Sequence, residues 1–172
     1  MQLLPPSITV SGGIWADLGC GQGIFTAILH ECIGSESEIY AVDKSRRSLA
    51  QLDANFRETF PAAMIHTIHT DFTRPLSLPP LDGFVIANAM HFVNDNEKVR
   101  VLGDLSGHLK PGGRAIVVEY NASRGNFAVP HPLDENGFLE LARRVGLREV
   151  SIAARAHSSF MGEMYAGVGK RD

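Results

Sequence analysis

Short apolar runs alternate along the chain with longer stretches whose apolar residues return every three or four positions. Five of the short runs are rich in β-branched residues and lie at 13–18, 37–43, 63–71, 82–88 and 113–120. Their near-continuous apolar character predicts strands of a sheet covered on both faces. Between them, "GIFTAILHECIG" (23–34) predicts a helix closed by Gly34, and "SRRSLAQLDANFRETF" (45–60) puts Leu49, Leu52, Phe56 and Phe60 on one helical stripe ahead of Pro61. "NDNEKVRVLGDLSGHL" (94–109) begins with Asn94 three residues before Glu97, a capping-box-like start, and "DENGFLELARRV" (134–145) opens on Asp134 and stops at Gly146.

Strand–helix alternation of this length predicts parallel βαβ units, and so an α/β fold with a Rossmann-like doubly wound sheet. Two departures sharpen that. "FTRPLSLPP" (72–80) carries three prolines, so the crossover between the third and fourth strands has little or no helix. Near the carboxyl end, "LREVSIAA" and "SFMGEMYAGVGK" are joined only by "RAHS" (155–158), too short for a parallel crossover. The sheet is therefore expected to be mostly parallel and to finish in an antiparallel hairpin strand.

Composition narrows the class. The 172 residues are 44% hydrophobic and 20% charged, which suits one ordinary globular unit. Net charge is −3 and the densest basic stretch is "KSRR" (44–47), so no nucleic-acid footprint is expected. Cys20 and Cys32 have neither metal-ligand nor dithiol spacing, which points to free thiols in a reducing, cytoplasmic setting. No metal site is expected either, since His66 and His69 alternate along a strand. No apolar run approaches the roughly 20 residues that span a bilayer.

The first strand runs into "ADLGCGQG" (16–23), where Gly19, Gly21 and Gly23 can bring bare backbone, including N–H groups, close to a ligand. A P-loop would need Gly-Lys-Ser/Thr, but Ile24 and Phe25 follow Gly23. A dinucleotide fingerprint would need glycine where Ile24 stands. Asp43 ends the second strand 20 positions beyond Gly23, where a carboxylate accepts both hydroxyls of a ribose or else caps the helix near Ser45. Asp71 ends the third strand, placed for the amine of an adenine with Phe72 against the ring, or as a turn residue.

"ADLGCGQG", "YAVD", "HTDF", "DGFVIANAMHFV" and "LKPGGRAIVVEY" together resemble the successive motifs of class I S-adenosylmethionine-dependent methyltransferases, over residues 13–169. Within that class the layout is similar to the small-molecule enzymes. The resemblance implies S-adenosylmethionine (SAM) as cofactor, with Asp17, Gly19, Cys20, Gly21 and Gly23 around its methionine part. It further implies Asp43 on the ribose with Lys44 beside it, Asp71 and Phe72 on the adenine, and Asn88 and Ala89 near the ammonium. The candidate base for an acceptor O, N or C nucleophile is His91, followed by Glu119 and Tyr120 at the end of the fifth strand. The motif expected of base-amine methylating enzymes is absent, because the chain reads "NAMHF" there.

Only about a dozen residues precede Ile14, where relatives place a helical lid. The expected organisation is one methyltransferase-like domain over 1–172 with a truncated amino-terminal lid, and with a homodimer or partner subunit as candidate cover. The alternative reading is a weakly active or inactive cofactor-binding subunit that needs such a partner.

Overall fold

The computed structural model describes residues 3–8 and 11–172. Seven strands form one sheet in the order β3-β2-β1-β4-β5-β7-β6. They are β1 (Ile14–Leu18), β2 (Glu38–Asp43), β3 (Met64–His69), β4 (Leu81–Ala87), β5 (Leu109–Tyr120), β6 (Arg148–Ser158) and β7 (Gly162–Lys170). Neighbouring pairs from β3 to β5 are parallel, whereas β7 runs antiparallel to both β5 and β6. The sheet is the mostly parallel, doubly wound one that the alternation predicts, and strand order reverses between β1 and β4.

Four helices cover the two faces. Leu29 and Ile33 of α1 (Ile24–Ile33) pack with Trp15, Ile39, Val85 and Ile116, and α2 (Arg46–Thr59) adds Leu49, Leu52 and Phe56 against Ala41 on the same side. The opposite face holds Ala16, Phe84, Ile86, Ala115 and Val117 against α3 (Asp95–Ser106) and α4 (Glu135–Arg144). Alternate residues of β1 and β4 thus feed both layers, which is why their sequences read as unbroken apolar runs. Buried Leu3 and Leu4 join the first face. The one-turn 3-10 segment Pro5–Ser7 that follows them lies beside Arg114, Ser151 and Lys170, at the ends of the strands remote from the glycine turn.

Local expectations fare unevenly. Residues 70–80 form no helix, and Gly34 closes α1 at φ +87°, both as the prolines and glycine suggest. Ser45 caps α2 by accepting from Ser48 N, and Asp134 Oδ1 caps α4 by accepting from Gly137 N at 2.8 Å. Asn94 does precede α3, but its side chain makes no cap; Glu97 pairs instead with Arg100. The hairpin is real, yet "RAHS" belongs to β6 and the turn falls at 159–161, because Ala156 and His157 continue to pair with Met164 and Glu163. No helix among the described residues is long and apolar enough to cross a membrane.

Candidate active site

Beyond the carboxyl ends of β1, β2 and β4 opens a cleft of about 440 Å3. It is lined by Gly19, Gly21, Asp43, Lys44, Asp71, Phe72, Asn88 and Ala89, which the sequence singles out, and by Thr73, Phe92, Val93 and Glu97, which it does not. Phe92 and Glu97 carry a faint signal, an aromatic and an acid flanking the start of a helix after a strand.

The glycine turn meets this cleft differently from a phosphate-binding loop. Gly19 N and Cys20 N both donate to Val42 O, at 2.8 and 3.1 Å, Gly21 N donates to Asp43 Oδ2 at 2.8 Å, and Gly23 N donates to Cys20 O. The expectation that these amides face a ligand is corrected, because β2 consumes those of Gly19, Cys20 and Gly21 and the turn itself consumes that of Gly23. What the turn offers instead is space. Gly21 has φ +55° and nothing within 4 Å of where a Cβ would sit, so its backbone borders open cleft. Gly19 is different, since a Cβ there would come within 2.6 Å of Ala89 Cβ.

Asp43 is the hinge of this arrangement. Its Oδ2 holds Gly21 N, its Oδ1 accepts from Ser45 N at 2.7 Å, and each oxygen keeps a further lone pair. Asp71 uses one oxygen, Oδ1, to accept from Thr73 N and Thr73 Oγ1. Partial burial works to raise its pKa, but those bonds, with Lys44 and Arg74 nearby, outweigh it and hold the carboxyl below its usual range. Asn88 sits at φ +52°, a left-handed conformation that asparagine tolerates, and its buried Oδ1 has no hydrogen-bond partner among the described residues.

Asp17 and Cys20 lie under the turn and do not line the cleft. Burial pushes the Asp17 carboxyl up to about 7, against the pull of Thr26, whose hydroxyl donates to Oδ2 at 2.6 Å; the charge of Asp43 adds to the rise. Its Oδ1 is buried without a partner among the described residues. Burial, with Asp17 and Asp43, also keeps Cys20 a thiol.

His91, Glu119 and Tyr120 fall into distinct places. His91 lies in a one-turn 3-10 segment (Met90–Phe92) and is 3% exposed. Glu119 is wholly buried; its Oε2 meets His91 Nδ1 at 2.8 Å and its Oε1 accepts from His91 N at 3.1 Å. Glu119 therefore stands behind the imidazole, out of reach of any acceptor, and its carboxyl orients the ring through Nδ1. Nε2 has no hydrogen-bond partner among the described residues. Tyr120 lies beside the pair, its ring centroid 6.1 Å from that of His91, and burial followed by the charge of Glu119 keeps its phenol protonated.

The methyltransferase domain family matches residues 16–113, from β1 into β5 and more than half of the chain. The chain belongs to that family. The match takes in the glycine turn, Asp43, Asp71 and every other residue that lines the cleft of this methyltransferase domain; it also includes His91, which is not among the lining residues.

The carboxy-S-adenosyl-L-methionine synthase of Pseudomonas syringae pv. tomato is 27% identical over 147 residues, covering 81% of this chain and 57% of that protein. The chain thus spans little more than half the length of this curated relative. Among solved structures, magnesium protoporphyrin IX methyltransferase from Synechocystis PCC 6803 with bound SAM superposes with a TM-score of 0.72 at 16% identity, over 94% of this chain and 71% of that one. The 1,6-didemethyltoxoflavin-N1-methyltransferase of Burkholderia thailandensis, solved with its substrate and S-adenosylhomocysteine (SAH), gives 0.74 at 14% identity, over 94% and 72%. At such identities the likeness is one of fold.

Proposed function

We propose that this domain transfers the methyl group of SAM to a small-molecule acceptor. The observation that carries the reading is the chemistry of the cleft. Its charged lining among the described residues is Asp43, Asp71 and Glu97 against Lys44, and the amides of Gly19, Gly21 and Gly23 that would serve a phosphate are spent on Val42 O, Asp43 Oδ2 and Cys20 O. Such a cleft suits a ligand that is cationic at one end and rich in hydroxyl and amine donors at the other, and it disfavours a nucleotide polyphosphate.

The residues divide among the parts of that ligand. The free lone pairs of Asp43 accept from the ribose hydroxyls, Asp71 takes the adenine amine with Phe72 against the ring, and bare Gly21 with Asn88 and Ala89 receives the methionine end. When bound, SAM supplies a methyl already activated by a sulfonium. Holding an acceptor in line with that group provides on the order of 7 kcal/mol of barrier lowering through orientation alone. For a hydroxyl or amine acceptor, His91 Nε2 takes the departing proton while Glu119 holds the imidazole by Nδ1 and by its backbone.

SAM and SAH are each expected to raise the melting temperature of the purified chain, and calorimetry should show Asp43→Asn, which preserves shape and one oxygen, binding SAH at least about tenfold more weakly. ATP and NADH serve as controls. No thermal shift at millimolar SAM or SAH would overturn the reading.

A further inference from the structure

Large apolar side chains are exposed at five described positions, Ile24, Met64, Phe92, Phe127 and Phe160. All but Met64 belong to the end of the sheet where the cleft opens: Ile24 follows the glycine turn, Phe92 follows β4, Phe127 lies between β5 and α4, and Phe160 sits in the turn between β6 and β7. Exposed apolar surface gathered at one end marks a place where something binds.

The rings are connected. His91 and Phe92 have centroids 4.3 Å apart, His91 and Tyr120 6.1 Å, and Tyr120 and Phe160 5.7 Å, with interplanar angles between 46° and 61°. Phe92 and Phe160, at the two ends of this run, are 59% and 57% exposed. Phe92 also lines the cleft, so the run starts where the cleft ends. Its middle is the nearly buried His91 imidazole, whose Nε2 has no partner among the described residues. The charged side chains at the upper ends of β5, β6 and β7 are engaged: Glu119 with His91, Arg155 with Glu135, and Glu163 with Asn121.

We propose that Phe92, Tyr120 and Phe160 form the acceptor shelf and that the acceptor is a planar, uncharged aromatic compound bearing a hydroxyl or amine. This rests on the methyl-transfer reading above, which places the donor in the adjoining cleft. Tilted rings receive a flat π-system by edge and face contacts, which a saturated ring of equal size satisfies less well. With Arg155 paired to Glu135 and the other charged groups there being carboxyls, the described residues at the upper ends of these three strands favour an uncharged acceptor over a phosphorylated or carboxylated one. An imidazole within the run is suited to draw the proton from the one polar group of such a compound. A protein partner would gain nothing from that buried, oriented base, so a small acceptor is the occupant the shelf fits.

The test uses the whole chain saturated with SAH, whose binding is first measured alone. 2-Naphthol is titrated by calorimetry against decahydro-2-naphthol, the same skeleton without planarity. The aromatic alcohol is expected to bind at least about tenfold more tightly, with saturation transfer from phenylalanine and tyrosine rings to its protons. Phe160→Ala, at an exposed turn, is expected to weaken it about fivefold to tenfold while leaving SAH affinity unchanged. Equal binding of the two alcohols, or indifference to Phe160→Ala, would overturn the shelf. So would self-association that disappears in Phe160→Ala, since the rings would then join copies of the chain. Failure of SAH to bind would count against the methyl-transfer reading instead, and binding of 2-naphthol to the free protein would still report on the shelf.

Discussion

Single residues decide what the cleft can hold. Asp17 was legible as part of the glycine turn, but its depth was not, since nothing in "ADLGCG" says that the carboxylate points under the loop toward Thr26. The same holds for the amides of Gly19, Cys20 and Gly21, which depend on how β2 lies against the turn. The buried carboxyl has a measurable consequence. Its folded pKa, about 7, lies above the ordinary carboxylate value of 3.8, so the folded state holds the proton more tightly than the unfolded one. Stability associated with Asp17 is present below about pH 4 and declines as pH rises toward 7, after which it is flat. Urea unfolding of the ligand-free protein is expected to show this decline, and Asp17→Asn to remove it. A stability difference between the two proteins that does not change from pH 4.5 to 7.5 would count against it.

Elements were read well where one periodicity dominates and poorly where a connection depends on partners. Helix α4 and its Asp134 cap follow from the local sequence, whereas the extent of β6 does not, because "RAHS" is strand only through its pairing with β7. The segment between β5 and α4 shows the same dependence. Buried Lys98 of α3 donates to Asp95 Oδ1 at 2.5 Å and to His131 O at 2.7 Å, and His131 N donates to His91 O at 3.0 Å. One lysine therefore ties that segment to α3 and, through His131, to the turn carrying His91. Lys98→Met keeps the buried stem but strands a carbonyl, at a cost of about 1–3 kcal/mol. Denaturant unfolding should register the loss, and amide exchange at His131 should accelerate; unchanged exchange there would show that the segment is held by other contacts.

At the scale of the molecule, the mostly parallel, doubly wound sheet and its antiparallel finish were legible, because strand–helix alternation and short crossovers leave few alternatives. Which end of the sheet the amino-terminal residues cover was not legible, since "LLPPS" has no period to orient it. Leu3 and Leu4 are buried against strands whose lower ends lie away from the cleft. Leu4→Ala is accordingly expected to cost about 2 kcal/mol or more of stability, at the low end of buried leucine truncations, with SAH affinity unaltered. Weakened SAH binding in a folded Leu4→Ala protein would mean that this segment communicates with the site.

The acid-rich lining of the cleft bears finally on turnover. In the methyl-transfer reading proposed above, a cationic sulfonium becomes a neutral thioether, so the spent cofactor would carry one positive charge fewer than the donor in a cleft lined by Asp43, Asp71 and Glu97. The attraction that retains the donor is thereby relaxed by the reaction itself. Added salt screens that attraction, and so narrows the difference in residence between donor and product. Exchange of one for the other is built into the sign of the wall.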